Sequence, residues 1–358
     1  MTNPQNKEKS SCCSCAGGGN ASASCCSIPA DTETAIPKAT STITRENRLD
    51  HIRARVGINR MGHRVEPGLY RLGRPDVDSP VFASANYTLS FDALRSALAG
   101  VDCYILVLDT NGINVWCAAG KGTFGTDELV HRIESTGLAA IVRHRKIILP
   151  QLGAPGVSWP DVMRRTHFKV VYGPVRAVDL PEFLRTGTAT PSMRRVEFPL
   201  RDRLVLTPVE FVHVALPALA AAVILYFLAG YGASLAAVAA VLAGTVLFPA
   251  LLPFIPTHDF STKGLILGGI VAVPFAASFA TVPLLPFWAN TAAALVALLL
   301  IPSVTAYLAL NFTGCTTFAS RSGVKKEIFR YVPVMAVMAG SGIILAILLG
   351  ISRLFGVI

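Results

Sequence analysis

From Val209 onward the chain carries only nine Asp, Glu, Lys or Arg residues in 150, and long apolar runs separate them. Nothing else restricts the fold as tightly, because in lipid every backbone polar group must be satisfied within a helix or a closed barrel. The runs are Phe211–Gly230, Ser234–Pro253, Gly264–Val282, Leu284–Leu310 and Val332–Ile351. Each is close to the ~20 residues that span a bilayer as a helix. The connecting segments test this division. Arg201 and Arg203 precede the first run, and the turn near Tyr231 is uncharged. Asp259 and Lys263 follow the second run, Pro283–Asn290 is bare, and Asn311–Tyr331 holds Arg321, Lys325, Lys326 and Arg330. Charged and bare segments alternate, as the positive-inside rule requires of five spans with a cytoplasmic N-terminus. The expectation is a multi-pass protein of a bacterial or archaeal cytoplasmic (inner) membrane.

Pro217, Pro249, Pro274, Pro302 and the pair Gly268–Gly269 interrupt these runs. A transport path is one reading of such breaks, since neighbouring helices re-satisfy the freed backbone groups. Ionisable residues inside the membrane usually mark such a path. Apart from Glu210 and His213 near the first entrance the runs hold almost none, which favours a bundle that anchors and docks.

The first 208 residues have the composition of a soluble protein and carry +7 of the chain's net charge of +10. No cluster of basic and aromatic residues reads as a nucleic-acid surface, so the excess suits anionic lipid headgroups. Residues 1–45 are rich in Ser, Thr, Ala and Gly and are expected to be a disordered tail. Met1–Asn20 has no apolar core of a secretory signal, which keeps the soluble part in a reducing compartment, where cysteines read as ligands or nucleophiles. Within the tail, Cys12, Cys13, Cys15, Cys25 and Cys26 either capture a thiophilic ion or do nothing essential. Cys12 and Cys15 make a single C-x-x-C pair, and no second such pair completes a zinc or iron–sulfur site there.

Residues 46–205 form the expected soluble domain, and 206–358 the membrane domain. Apolar runs at Val81–Ala85, Cys103–Leu108, Ala139–Val142, Lys146–Leu149 and Phe168–Tyr172 predict strands. Phe91–Leu98 and Asp127–Ile133 have helical spacing, with Thr126 as N-cap, Asp127 and Glu128 in the first turn and Gly137 after the end. The alternation predicts an α/β domain with a mainly parallel sheet, which takes ligands at loops beyond the carboxyl ends of its strands.

The run Asn114-Val115-Trp116-Cys117-Ala118-Ala119-Gly120-Lys121 follows one such strand. Its small residues let a flat cofactor approach a short helix, and Trp116 is suited to pack in the adjoining core. A cysteine near a helix start with Lys121 nearby favours its thiolate. A buried, inert cysteine is the competing reading.

Residues 112–138 resemble the corrinoid-binding domain of the mercury-methylation corrinoid protein family (HgcA), whose hallmark residues 114–121 match at every position. The resemblance continues through Gly122-Thr123-Phe124-Gly125-Thr126, Ile148–Ala154 and Tyr172–Arg176, and reaches Asn311-Phe312-Thr313-Gly314 and Ser322-Gly323-Val324. It covers roughly residues 48–358. It implies a Rossmann-like corrinoid-binding domain followed by an all-α domain of five membrane helices. The domain is also similar to the large subunit of the acetogenic corrinoid iron–sulfur protein, which lacks a cysteine here. That relative's N-terminal cluster-binding cysteines and barrel domain are missing from this chain.

The resemblance implies a cobalamin or related corrinoid bound through residues 114–123, with the Cys117 thiolate as lower axial cobalt ligand. Methyl transfer from methyl-Co(III) cobalamin to Hg(II) would form methylmercury. Thiolate donation favours Co(III) and a methyl group leaving as a carbanion equivalent, or as a radical with a further electron. The implied partners are a two-cluster ferredoxin-like protein (HgcB) as electron donor and a methyl-folate methyltransferase system as methyl donor. Further Hg(II) contacts are assigned to Cys12, Cys13, Cys25, Cys26 and Cys315, and the loop Asn311–Gly314 is expected to close the site or meet the partner. The alternatives are a membrane-bound methyl carrier of one-carbon metabolism and a metal-trafficking membrane protein.

Overall fold

The computed structural model describes residues 36–357 apart from 60, 61, 284, 315, 317 and 318. The tail cysteines Cys12, Cys13, Cys15, Cys25 and Cys26, and Cys315, lie outside the described residues.

Six strands form one sheet: β1 (Lys38–Ala39), β2 (Gly68–Leu72), β3 (Val81–Ala85), β4 (Cys103–Leu108), β5 (Lys146–Leu149) and β6 (Lys169–Tyr172). Their spatial order is β1-β2-β4-β3-β5-β6. From β4 to β6 all neighbours are parallel, and β2 runs antiparallel to β4. Every residue of β3 and β4 is buried, as expected of central strands covered on both faces. The register Val81↔Tyr104 through Ala85↔Leu108 ends both strands at one level, so the residues after them share an edge.

Seven helices belong to this layer: α1 (Arg45–Val56), α2 (Thr88–Ala97), α3 (Val115–Lys121), α4 (Thr126–Ser135), α5 (Leu138–Ile141), α6 (Trp159–Thr166) and α7 (Leu180–Thr186). Phe91 and Leu94 of α2 join Phe82, Ile105 and Ile148 in one apolar core. The predicted strand at Ala139–Val142 is instead the short helix α5. Leu138 and Ile141 are buried while Ala139 and Ala140 are exposed, a spacing of three rather than two. The N-cap of α4 is Gly125, not Thr126. The Thr126 hydroxyl accepts the Ser158 N–H at 2.8 Å, which ties α4 to the start of α6. The ordered chain begins before residue 46, since Ala39 is buried in the edge strand β1.

The C-terminal half holds five helical segments long and apolar enough to cross a membrane: 200–229, 231–251, 260–280, 287–314 and 322–354. They contain α8 (Leu200–Leu204), α9 (Thr207–Ala229), α10 (Tyr231–Leu242), α11 (Phe248–Leu251), α12 (Phe260–Ala280), α13 (Phe287–Asn311) and α14 (Arg321–Leu354). Pro217, Pro274 and Pro302 lie inside continuous helices. Before Pro249 the backbone widens into a π-helical turn at Ala243–Leu247, a usual response to a missing donor or a local mismatch. Gly268 is no break: a Cβ there would sit 2.5 Å from Pro302 Cα, and one at Gly264 2.5 Å from Ala306 Cα. The pair forms a small-xxx-small contact that brings α12 and α13 together.

Arg203 also differs from expectation. It is buried and donates from Nη1 to the carbonyls of Pro249 at 2.9 Å and Ala250 at 2.7 Å, satisfying groups that α11 leaves without helical partners. Phe312 and Thr313 are buried too, with the Phe312 ring 6.5 Å from Phe198 and 6.1 Å from Phe248. The segment Phe312–Gly314 therefore locks the end of α13 onto the chain that leaves the sheet domain.

Candidate functional site

The carboxyl edge of the sheet is organised by Asn86, a residue the sequence reading did not single out. It follows β3 directly and is only 2% exposed. Its Oδ1 accepts the N–H groups of Thr110 at 3.1 Å and Gly112 at 2.9 Å, and lies 2.8 Å from the Thr110 hydroxyl. Its Nδ2 donates to Asp109 Oδ1 at 3.1 Å. The partner chemistry fixes the amide orientation, because backbone N–H groups need the oxygen and the carboxylate needs the NH2. The Thr110 hydroxyl has one proton to share between Asn86 Oδ1 and the Ile113 carbonyl, 2.7 Å away. Glu128 of α4 accepts the Asp109 N–H at 2.8 Å and is itself held by Arg132 at 2.8 Å.

The loop thus clamped turns back sharply. Asn111 and Gly112 both adopt positive φ, 58° and 70°, conformations that Asn and Gly tolerate best. The turn delivers the chain into α3, where the Asn114 side chain accepts the Cys117 N–H at 2.9 Å as the helix cap. Gly122 closes the helix in the left-handed conformation, its N–H directed to the carbonyls of Ala118 and Ala119.

One face of α3 is sealed and the other is open. Ala118 and Ala119 are buried against the segment 151–156. A Cβ at Gly156 would meet Phe124 O at 2.2 Å and Ala119 Cα at 3.0 Å, and one at Gly153 would strike the Phe124 ring at 2.6 Å. On the opposite side, Asn114, Cys117 and Lys121 are spaced i, i+3 and i+7 and share a face. Asn114, Gly120 and Lys121 are exposed, Val115, Trp116 and Cys117 half-buried, and a Cβ at Gly120 would meet nothing within 4 Å. Thr123 serves the helix end: its N–H donates to the Ala118 carbonyl at 3.0 Å. Residues 114–123 therefore lie together, with the Cys117 thiol on the accessible side.

Cys103 is the contrasting thiol. It is fully buried in β4, and burial, with Asp102 nearby, pushes its pKa from 9.0 to about 12. It remains protonated and inert. Among the described residues, no group of three or more His, Cys, Asp or Glu side chains could hold a metal ion. An apolar groove of about 340 Å³, lined by Leu204, Thr207, Pro208, Phe211, Leu242 and Val246, belongs to the foot of the helical bundle and not to the Cys117 face.

A mainly parallel sheet with a short helix at its carboxyl edge defines this half as an open-sheet α/β domain, the edge at which such sheets take ligands. Residues 51–175 match the family described as CO dehydrogenase/acetyl-CoA synthase delta subunit. The same region is similar to gamma subunits of the acetyl-CoA decarbonylase/synthase complex. That of Methanopyrus kandleri is 38% identical over 122 residues, covering 34% of this chain and 26% of the relative. That of Methanocaldococcus jannaschii is 36% identical over 125 residues, 34% of this chain and 25% of the relative. Subunit gamma 2 of Methanosarcina mazei is 32% identical over 124 residues, 34% of this chain and 26% of the relative. The chain thus spans about a quarter of the length of these curated relatives, and the likeness covers the sheet domain alone.

Proposed function

We propose that this chain is a membrane-anchored corrinoid protein that passes a methyl group to Hg(II), its substrate, with the Cys117 thiolate as lower axial ligand of cobalt. The observation that carries the proposal is the half-buried Cys117 on the side of α3 opposite its sealed face. A corrinoid bound here would supply the cobalt and its methyl group, and the requirement on this chain would be a single soft donor facing it. A single thiolate beside the open Gly120 fits that requirement.

The chain's own groups divide the work. Asn86 holds the 109–112 turn, Asn114 sets the start of α3, and Ala118 and Ala119 seat the helix. Together they fix the direction of the Cys117 side chain before any ligand arrives, which lowers the cost of binding. A strongly donating thiolate favours a methyl group that leaves with its electron pair. Restoring the cofactor afterwards requires an electron donor, assigned to the two-cluster ferredoxin-like partner, and a methyl-folate system. The five apolar helices support a location at a bilayer, and the alternation of charged and bare connecting segments supports a cytoplasmic sheet domain. The proposed division assigns 46–205 to the corrinoid domain, joined by the edge strand β1 ahead of it, and 206–358 to the membrane domain.

The matched subunits favour a second reading, a membrane-bound methyl carrier of one-carbon metabolism. Single-turnover methyl transfer to Hg(II) separates the two. Protein loaded with methylcobalamin is compared with equimolar free methylcobalamin and with loaded Cys117→Ala. Methylmercury formed much faster than in both controls is expected. A rate no better than free methylcobalamin assigns the chain to the carrier role, and full activity in Cys117→Ala rules out the thiolate.

A further inference from the structure

Helix α1 is amphipathic in the wrong sense for a soluble surface. Its inward side is polar. His51 Nε2 lies 2.8 Å from Asp92 Oδ2, and Asp92 is held in turn by Arg95 at 2.6 Å. Asp50 pairs with the buried His63 at 2.7 Å, and Asn47 accepts from Arg95 at 3.0 Å. Ala54 completes this side. The opposite side carries Leu49, Ile52 and Val56 at i, i+3 and i+7, one continuous stripe. Leu49 is 54% and Ile52 58% exposed, and Ile58 just beyond the helix is 55% exposed. Arg48, Arg53 and Arg55 flank the stripe and are all exposed. A helix on a water-facing surface shows the reverse arrangement.

The position of α1 explains this inversion. Its end abuts the first turns of α9, where the chain enters the first apolar span. A Cβ at Gly57 would lie 3.3 Å from Val209 Cγ2 and 3.5 Å from His213 Cε1. The neighbouring α8 also exposes Leu200 and Leu204, which line an apolar groove of about 460 Å³ together with Arg201 and Val205. An apolar stripe edged by arginines, at the foot of a membrane helix, has the chemistry of an interfacial helix.

We infer that α1 docks on the surface of an anionic bilayer, its Leu49–Ile52–Val56 stripe among the acyl-chain ends and Arg48, Arg53 and Arg55 on lipid phosphates. The inference rests on the membrane reading of the C-terminal helices. It makes α1 a second attachment that fixes the tilt of the sheet domain over the lipid, in addition to the covalent link through α8.

The test uses the full chain in nanodiscs of phosphatidylcholine with phosphatidylglycerol. A fluorinated phenylalanine is placed at position 52 and, in a separate sample, at position 219, where Leu219 faces outward from α9. Fluorine relaxation is compared between a lipid-tethered nitroxide and a water-soluble paramagnetic chelate. Relaxation several-fold stronger from the lipid agent at both positions is expected. A lipid preference at 219 with a water preference at 52 overturns the inference and leaves the membrane reading intact. A water preference at 219 overturns the membrane reading itself. Shielding of position 52 from both agents overturns the lipid assignment and gives the stripe to a protein partner. Replacing Arg48, Arg53 and Arg55 together by Glu should lower the lipid effect at 52 several-fold, as should nanodiscs of phosphatidylcholine alone. An unchanged effect overturns the phosphate contact.

Discussion

Two contacts in this molecule are built on the same device and serve opposite ends. Beneath α3, Gly153 and Gly156 let a neighbouring segment approach Phe124 and Ala119 so closely that a single Cβ would collide. In the bundle, Gly264 and Gly268 do the same between α12 and α13. The bundle contact has structure on both sides and ends there. The contact under α3 presses one face of a seven-residue helix so that the other face, with Cys117, is presented. Close packing of small residues holds the bundle together in one place and aims a thiol in the other.

The comparison breaks if the two contacts cannot be damaged separately. Gly156→Ala should be the more severe change, because the new methyl group would come within 2.2 Å of the Phe124 carbonyl oxygen, against 2.5 Å from Pro302 Cα at Gly268. A loss of about 3 kcal/mol from the sheet domain is expected, with cofactor content collapsing in gel filtration while the detergent melting of the bundle is unchanged. Gly268→Ala should do the converse. It should cost the bundle about 2 kcal/mol by overpacking against Pro302, measured by thermal melting in detergent, with corrinoid retention unaffected. A Gly156→Ala protein that kept its cofactor would show that α3 is aimed by something else.

A smaller effect sharpens the comparison. Asn86→Ala removes the acceptor of the Thr110 and Gly112 N–H groups and should destabilise the sheet domain by about 1–2 kcal/mol. Cofactor affinity should fall with it, and the bundle should not respond, as read by equilibrium titration and melting of one sample. The smallest effect concerns pH. The Cys103 thiol is pushed up from 9.0 to about 12 in the folded protein, so above pH 9 the unfolded chain loses this proton first. The stability it contributes is complete below pH 9 and is lost as the pH rises toward 12. Cys103→Ala should flatten that alkaline loss in the sheet domain and leave the bundle as it was.

How much of this was legible depended on how local the signal was. Val81–Ala85, Cys103–Leu108 and Lys146–Leu149 were read at their observed bounds because central strands leave unbroken apolar runs. The five spans were legible for a similar reason. The edge strand β1 and its neighbour β2 were not, being short and, in β2, interrupted by Arg71. Ala139–Val142 was read as a strand because four small apolar residues carry no period of their own. The eight-residue run Asn114–Lys121 was legible, but its keystone was not. Asn86 acts on residues 24 and 26 positions away, and no pattern near an isolated asparagine announces such partners. The role of Arg203 was equally hidden: it was read only as a charge ahead of the first span, whereas its partners are carbonyls 46 and 47 residues on.

The last helix, α14, has 34 residues. At a rise of ~1.5 Å per residue it is about 51 Å long, against a hydrocarbon layer of ~30 Å. The surplus must be taken up by leaning or by projecting into water, and which of the two prevails depends on the thickness of the membrane. Its N-terminal turns are also tied to the foot of α12, where Glu327 accepts the Ser261 N–H. A thicker bilayer would draw this rod upright and a thinner one would let it lean. The lean of α14 is then a mechanical property shared by the protein and its membrane.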